Sequence, residues 1–125
     1  MESILKQIDE KKKEIETLKK QLNEKAKEKY KYLEGKYFSL AATCMIFVKE
    51  IISVDEQYRC INVECIRIQG GKHNGGFIDV NPHDDYNLYL KDINKSIITE
   101  ISRERFLSFL DEALSCAKDR IIAIL

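Results

Sequence analysis

All five arginines of this chain, Arg59, Arg67, Arg103, Arg105 and Arg120, lie beyond residue 58, whereas the first 34 residues use only lysine as their cation. A guanidinium is planar, presents a fork of donors that matches a phosphate or carboxylate, and stacks on aromatic rings; an ammonium mainly solvates. Arg59 and Arg67 fall at either end of one expected strand, and Arg103 and Arg105 at the start of the last expected helix. Brought near Tyr58, Tyr86 or Tyr89, they could hold a nucleotide between a ring and a guanidinium. Ordinary ion pairs with the many acids are the plainer use of the same groups. A second constellation is Gly70-Gly71-Lys72-His73-Asn74-Gly75-Gly76, four glycines in seven residues. Its backbone N–H groups, with Lys72, His73 and Asn74, could cradle an anion. It lacks the spacing and the Ser or Thr of a phosphate-binding P-loop, and a plain hairpin tip accounts for it equally. The candidate ligand residues are therefore Arg59, Arg67, Lys72, His73, Asn74, Tyr86, Tyr89, Arg103 and Arg105.

Other chemistries find little purchase. His73 and His83 are the only histidines, and His83 beside Asp84-Asp85 lacks a second ligand group at zinc spacing, so no metal site is expected. Cys44, Cys60, Cys65 and Cys116 form no CxxC pair, and three of them sit in apolar runs. They read as buried free thiols of a reducing cytoplasm, not as nucleophiles. There is no GxSxG motif, and the paired acids Asp84-Asp85 and Asp111-Glu112 read as solvated. The expectation is a binding protein with no catalytic residue and no cofactor.

These groups must be held by a chain of 125 residues with 21 basic and 21 acidic side chains. Residues 1–34 carry ten Lys against eight acids, and residues 35–125 eleven basic groups against thirteen acids. Neither part is a basic field for DNA or RNA, so nucleic acid is disfavoured. No apolar run nears the ~20 residues of a membrane span, and no secretory segment opens the sequence, which points to a cytoplasmic protein.

The amino-terminal segment has a heptad repeat. Met1, Ile8, Ile15 and Leu22 recur every seventh residue as a positions, with Ile4 and Leu18 at d. Isoleucine at a with leucine at d favours two parallel strands, and Glu14 at g with Lys19 at the next e permits an interchain ion pair. Lys11 and Lys25 interrupt the d row, and the stripe fades beyond Leu22. Ile4, Ile8, Ile15, Leu18 and Leu22 are thus the expected self-association residues of a dimer or higher homo-oligomer. The alternative is a lone helix packed on its own β-unit.

Gly35 is placed to end this helix, and from there the period becomes that of strands. Tyr37-Phe38 begins one strand, residues 43–54 form a long one, and Asp55-Glu56-Gln57 is a hairpin turn into residues 58–69. In that strand the alternation Ile61, Val63, Cys65 breaks at Ile66 and Ile68. A bulge near Cys65–Ile66 would return both to the inner face and point Arg67 outward. Phe77–Val80 and Tyr86–Leu90 are two further short strands with Asn81-Pro82-His83-Asp84-Asp85 turning between them. Ser102 is a good N-cap for a last helix whose apolar stripe is Phe106, Phe109, Leu110, Ala113, Leu114, Ala117 and Ile121, with Arg120 in its final turn. The fold class is α+β, built from a coiled-coil helix (1–34) and a domain (35–125) with a small antiparallel β-barrel or bent sheet and a C-terminal packing helix.

A charged helix, Tyr32-Leu33-Glu34-Gly35-Lys36-Tyr37-Phe38, Phe47-Val48-Lys49, Tyr86-Asn87-Leu88-Tyr89-Leu90 and Ile101-Ser102-Arg103-Glu104-Arg105-Phe106 follow one another along the chain. In that order they resemble small accessory proteins of tailed bacteriophages, with an N-terminal coiled coil and a small β-barrel. The resemblance implies a fold and carries no catalytic motif. By analogy of size and setting, it implies a stoichiometric inhibitor of a bacterial antiviral defence. Such an inhibitor would sequester a small nucleotide signal or occupy a host defence protein; a nucleic-acid-binding or structural phage role is the alternative.

Overall fold

A computed structural model of the chain describes residues 2–57, 59–71 and 77–125. The expected contributions of Met1, Tyr58, Lys72, His73 and Asn74 lie outside the described residues. The order is α1 (Glu2–Tyr30), a 3-10 turn (Lys31–Leu33), β1 (Tyr37–Ala41), β2 (Cys44–Asp55), β3 (Cys60–Gly70), β4 (Ile78–Tyr89), α2 (Leu90–Asn94), β5 (Thr99–Ile101) and α3 (Arg103–Ile124). The five strands make one antiparallel sheet in the order β4-β3-β2-β1-β5. It is open, with β4 and β5 as its edges, so the α+β class holds and the β-unit is a sheet, not a closed barrel.

Both faces are apolar, in different places. On one face Ile46, Val48, Ile61, Val63, Cys65 and Leu88 are almost wholly buried together with Leu33, and Tyr30, Leu90, Ile93 and Ile98 pack against them. The segment from α2 to β5 connects one sheet edge to the other and helps to cover this face. On the other face Met45 and Ile68 pack against Phe106 and Phe109 of α3, with Tyr37, Phe47, Ile66 and Ile101 around them. Tyr37 lies 4.7 Å from Phe47 and 5.1 Å from Phe106, ring centre to ring centre.

This division corrects the expected bulge at Cys65–Ile66. Strand β3 alternates without interruption; what changes is the face that is covered. Ile61, Val63 and Cys65 serve the first core, Ile66 and Ile68 the second, and Arg67 falls on the inner side with Cys65. The β3–β4 ladder is irregular between Cys65 and Arg67, at the expected place, but the extra residue belongs to β4; β2 gains one residue between Val48 and Glu50 and another between Ile51 and Ser53.

Asn81 to Asp85 is a second correction. These residues continue β4, pairing with β3 through Asn81↔Arg67, Asp84↔Cys65 and Asp85↔Glu64. Pro82 cannot donate to a ladder, but on an edge strand at a bulge it has no bond to lose. A third is the stripe on α3. Phe106, Phe109 and Ala113 are buried, while Leu114 and Ile121 are half exposed or more, and Arg120 stacks 4.0 Å over the Phe77 ring before the final turn.

The ends of the elements follow local rules. The Ser102 side chain accepts the Arg105 N–H at 3.1 Å, capping α3. Gly35 has φ +78°, a left-handed backbone that suits glycine after the 3-10 turn. Beyond Phe47, β1 no longer flanks β2. The end of α1 and the turn after it take its place: the Asn23 amide oxygen accepts the Val54 N–H at 3.0 Å and the Glu34 carboxylate accepts the Ile51 N–H at 3.3 Å. Ala26 is buried there. Covering this stretch of edge removes a site where another strand could add.

Candidate ligand-binding cleft

The chain is fixed at one end of the sheet by three neighbouring segments: the last turn of α1, the β2–β3 turn, and the junction of β4 with α2. Register brings them together. Asp55 pairs with Cys60 and Cys60 with Tyr89, so the turn and the end of β4 lie side by side. The Leu90 N–H donates to the Arg59 carbonyl at 2.9 Å, tying α2 to the turn. Arg59 itself has φ +49°, a left-handed conformation that costs a non-glycine residue of order 1–3 kcal/mol and is held by its surroundings.

Between the segments is an open cleft of about 790 Å³ lined by Lys29 and Tyr30 from α1, Glu56, Gln57 and Arg59 from the turn, and Tyr89, Leu90, Lys91, Asn94 and Lys95 around α2. Four cations stand against one carboxylate. None of Lys29, Arg59, Lys91 and Lys95 forms an ion pair among the described residues. The Lys29 ammonium is 5.4 Å from the Tyr30 ring centre and that of Lys91 6.0 Å from Tyr89, so both rings carry a cation at their face. Clustered like charges repel one another, and an anion in the cleft relieves that repulsion. With an amide on Asn94 and Gln57 and two phenol rings, the cleft can take a phosphate group and stack a planar ring beside it.

The structure divides the expected ligand residues among three places. Arg59 and Tyr89 meet in this cleft. Tyr86 is on the first face, three residues before Tyr89 and opposite Val63, and Arg67 is on that face in the other half of β3. There the Arg67 guanidinium is spent within the molecule. Its Nε donates to the Asp84 carboxylate at 2.5 Å, Nη1 to Gln69 at 2.6 Å, and Nη2 lies 3.5 Å from Asp79. Asn81 donates to the other Asp84 oxygen at 3.2 Å. The hydrogen bond to Asp84 holds the Arg67 pKa above its ordinary value. Burial, more than the nearby Asp84, pushes the Cys65 thiol up to about 12, and burial also raises Cys44 and Tyr86. These thiols stay protonated at neutral pH, the wrong state for a nucleophile. Arg103 and Arg105 are exposed at the start of α3, where Arg105 lies 4.0 Å from Glu112 and borders a smaller hollow floored by Met45 and Phe109. The Asp84-Asp85 pair, expected to be solvated, is split: Asp84 is half-buried on Arg67.

Lys29, Tyr30, Lys91, Asn94 and Lys95 were not singled out from sequence. They come from segments far apart in the chain, and no motif joins them in the sequence. Among the described residues, no three His, Cys, Asp or Glu side chains gather as a metal ion needs, and no helix is long and apolar enough to cross a membrane. The chain matches no family model, no curated protein and no solved structure.

Proposed function

We propose that this chain is a self-associating, non-enzymatic binding protein that holds a phosphate-bearing small molecule of the nucleotide class in the cationic cleft. The observation that carries the reading is the set of four cations, without an ion pair among the described residues, around one cleft beside Tyr30 and Tyr89. The cations gather around one open cleft, which favours a mononucleotide or dinucleotide over a nucleic-acid strand.

Self-association is supported by the free part of α1. Ile4, Ile8, Ile15, Leu18 and Leu22 are 44–62 % exposed, although they form the a and d rows of a heptad. From Asn23 on, the helix also turns a different side, that of Asn23 and Ala26, to its own β2. About 20 residues project, roughly 30 Å of helix, a length that is marginal alone in water. A second copy, parallel and in register, covers the row and sets Glu14 against Lys19.

Taken with the phage-like arrangement of the sequence, stoichiometric capture of a nucleotide signal in the bacterial cytoplasm would make the protein an inhibitor of an antiviral defence. A second reading, occupation of a defence protein, is favoured by Leu107, Leu114 and Ile121, an exposed apolar row on α3. Calorimetric titration with ATP and with cyclic mono- and dinucleotides tests the first. Binding that is lost in the Arg59→Gln/Lys95→Gln variant supports it. No heat with any of them overturns it, and binding unaffected by the variant places the ligand elsewhere.

A further inference from the structure

We infer that ligand binding and pairing of α1 are linked through Lys29, so that a phosphate-bearing ligand tightens the dimer. The inference rests on the readings of the cleft and of α1 given above, and it concerns how the two influence one another. The a row Ile8, Ile15, Leu22 continues seven residues on at Lys29, and the d position after Leu18 is Lys25. In a parallel pair, equivalent a residues of the two copies face each other across the axis. The apolar seam therefore ends in two successive lysine layers. Each opposes pairing by like-charge repulsion.

Lys29 cannot drift away from this position. The helix is fastened to β2 just before it, by Asn23 to the Val54 N–H and by buried Ala26. The same ammonium lines the cleft. Lys29 is thus the one cation that belongs both to the seam row and to the ligand site. An anion in the cleft draws on its charge and lowers the cost of bringing two copies of Lys29 together. By reciprocity, pairing raises affinity for the anion by the same factor. A parallel arrangement also places both clefts at the same end of the pair, one on each side of the axis.

Sedimentation equilibrium of the full chain, with and without inorganic pyrophosphate at constant ionic strength, reads the linkage. The expected result is a dimer dissociation constant lowered at least about fivefold by pyrophosphate. Lys29→Gln should pair more tightly than the parent without pyrophosphate and lose most of the response. It should still bind pyrophosphate, more weakly, by calorimetry through the three remaining cations. A dimer that binds pyrophosphate without any change in self-association overturns the linkage alone. So does an equal response in parent and variant, which would reflect charge screening. A monomer under every condition overturns it together with the pairing of α1, and a dimer that gives no heat with pyrophosphate overturns it together with the cleft.

Discussion

Replacing Arg59 by Gln removes one of four cations from the cleft while keeping a polar side chain of similar reach. Its effect can be sized from the geometry. A space of about 790 Å³ corresponds to a sphere of radius about 6 Å, so a centred phosphate lies about that far from each charge. The cleft is open, and at the dielectric of water a unit charge at about 6 Å contributes about 0.7 kcal/mol, or about 1.4 kcal/mol for a dianion. Salt at physiological strength, with a screening length of about 8 Å, cuts this by about half. Arg59→Gln should therefore weaken a dianionic nucleotide about threefold at physiological salt and up to about tenfold at low salt. Calorimetric titration of parent and variant with AMP, a dianion near neutral pH, at two salt concentrations measures both values. The salt dependence matters as much as the loss, since a stacking or steric role would not vary with ionic strength. An affinity unchanged by the substitution at low salt would refute the electrostatic account of the cleft. The backbone offers a separate control: Gln at φ +49° is as strained as Arg, so Arg59→Gly should gain backbone ease while losing the same charge.

Three further outcomes test the fold that carries the cleft. Arg67→Met leaves the half-buried Asp84 carboxylate without its cation and should lower the urea unfolding free energy by about 1–3 kcal/mol; adding Asp84→Leu should recover much of it, and an undiminished loss in the double variant would show that packing, not charge, is at stake. Gly70→Ala, at φ +150° and with its new methyl driven into the Phe77 carbonyl oxygen, should cost more than about 1 kcal/mol in the same assay, and an unshifted midpoint would contradict the close approach of β3 to Phe77. Burial raises the folded Cys65 thiol to about 12 from an ordinary value of 9.0, so its contribution is complete below pH 9 and is lost as pH rises from 9 towards 12. Over that window Cys65→Val should lose stability less steeply than the parent, by up to about 1.4 kcal/mol per pH unit, and identical slopes would show that the thiol is not kept neutral.

Much of the architecture was legible because it depends on short-range rules. The amino-terminal helix, the left-handed glycine at 35 and the capping serine at 102 each depend on neighbours within a few residues, although the helix stops at Tyr30 and a 3-10 turn separates it from the glycine expected to end it. The reading failed where a distant partner overrides the local signal. Asn81-Pro82-His83-Asp84-Asp85 has turn composition, yet β3 pairs with it along a sheet edge, and an edge tolerates proline. Ile66 and Ile68 broke a one-face alternation because α3, some forty residues later, supplies a second core. Thr99–Ile101 is three residues long and has no periodicity of its own; it is a strand because β1 offers an edge.

The candidate site divides in the same way. Arg59 and Tyr89 are legible by residue type, and the register of β2, β3 and β4 joins them. Arg67 has the same chemistry but turns inward to Asp84, since the extended strand places it on the side of Cys65. Lys29, Lys91 and Lys95 carried no motif. Their common location exists only once α1 docks on β2 and α2 follows β4.

Native mass spectrometry of the full chain purified from cells and sprayed at low ionic strength bears most directly on the whole account, since it weighs the assembly and anything retained in it together. The account predicts a dimer or an even multiple of it carrying additional mass that is released on denaturation and contains phosphorus. A bare single chain at every concentration, with no retained mass, would contradict it.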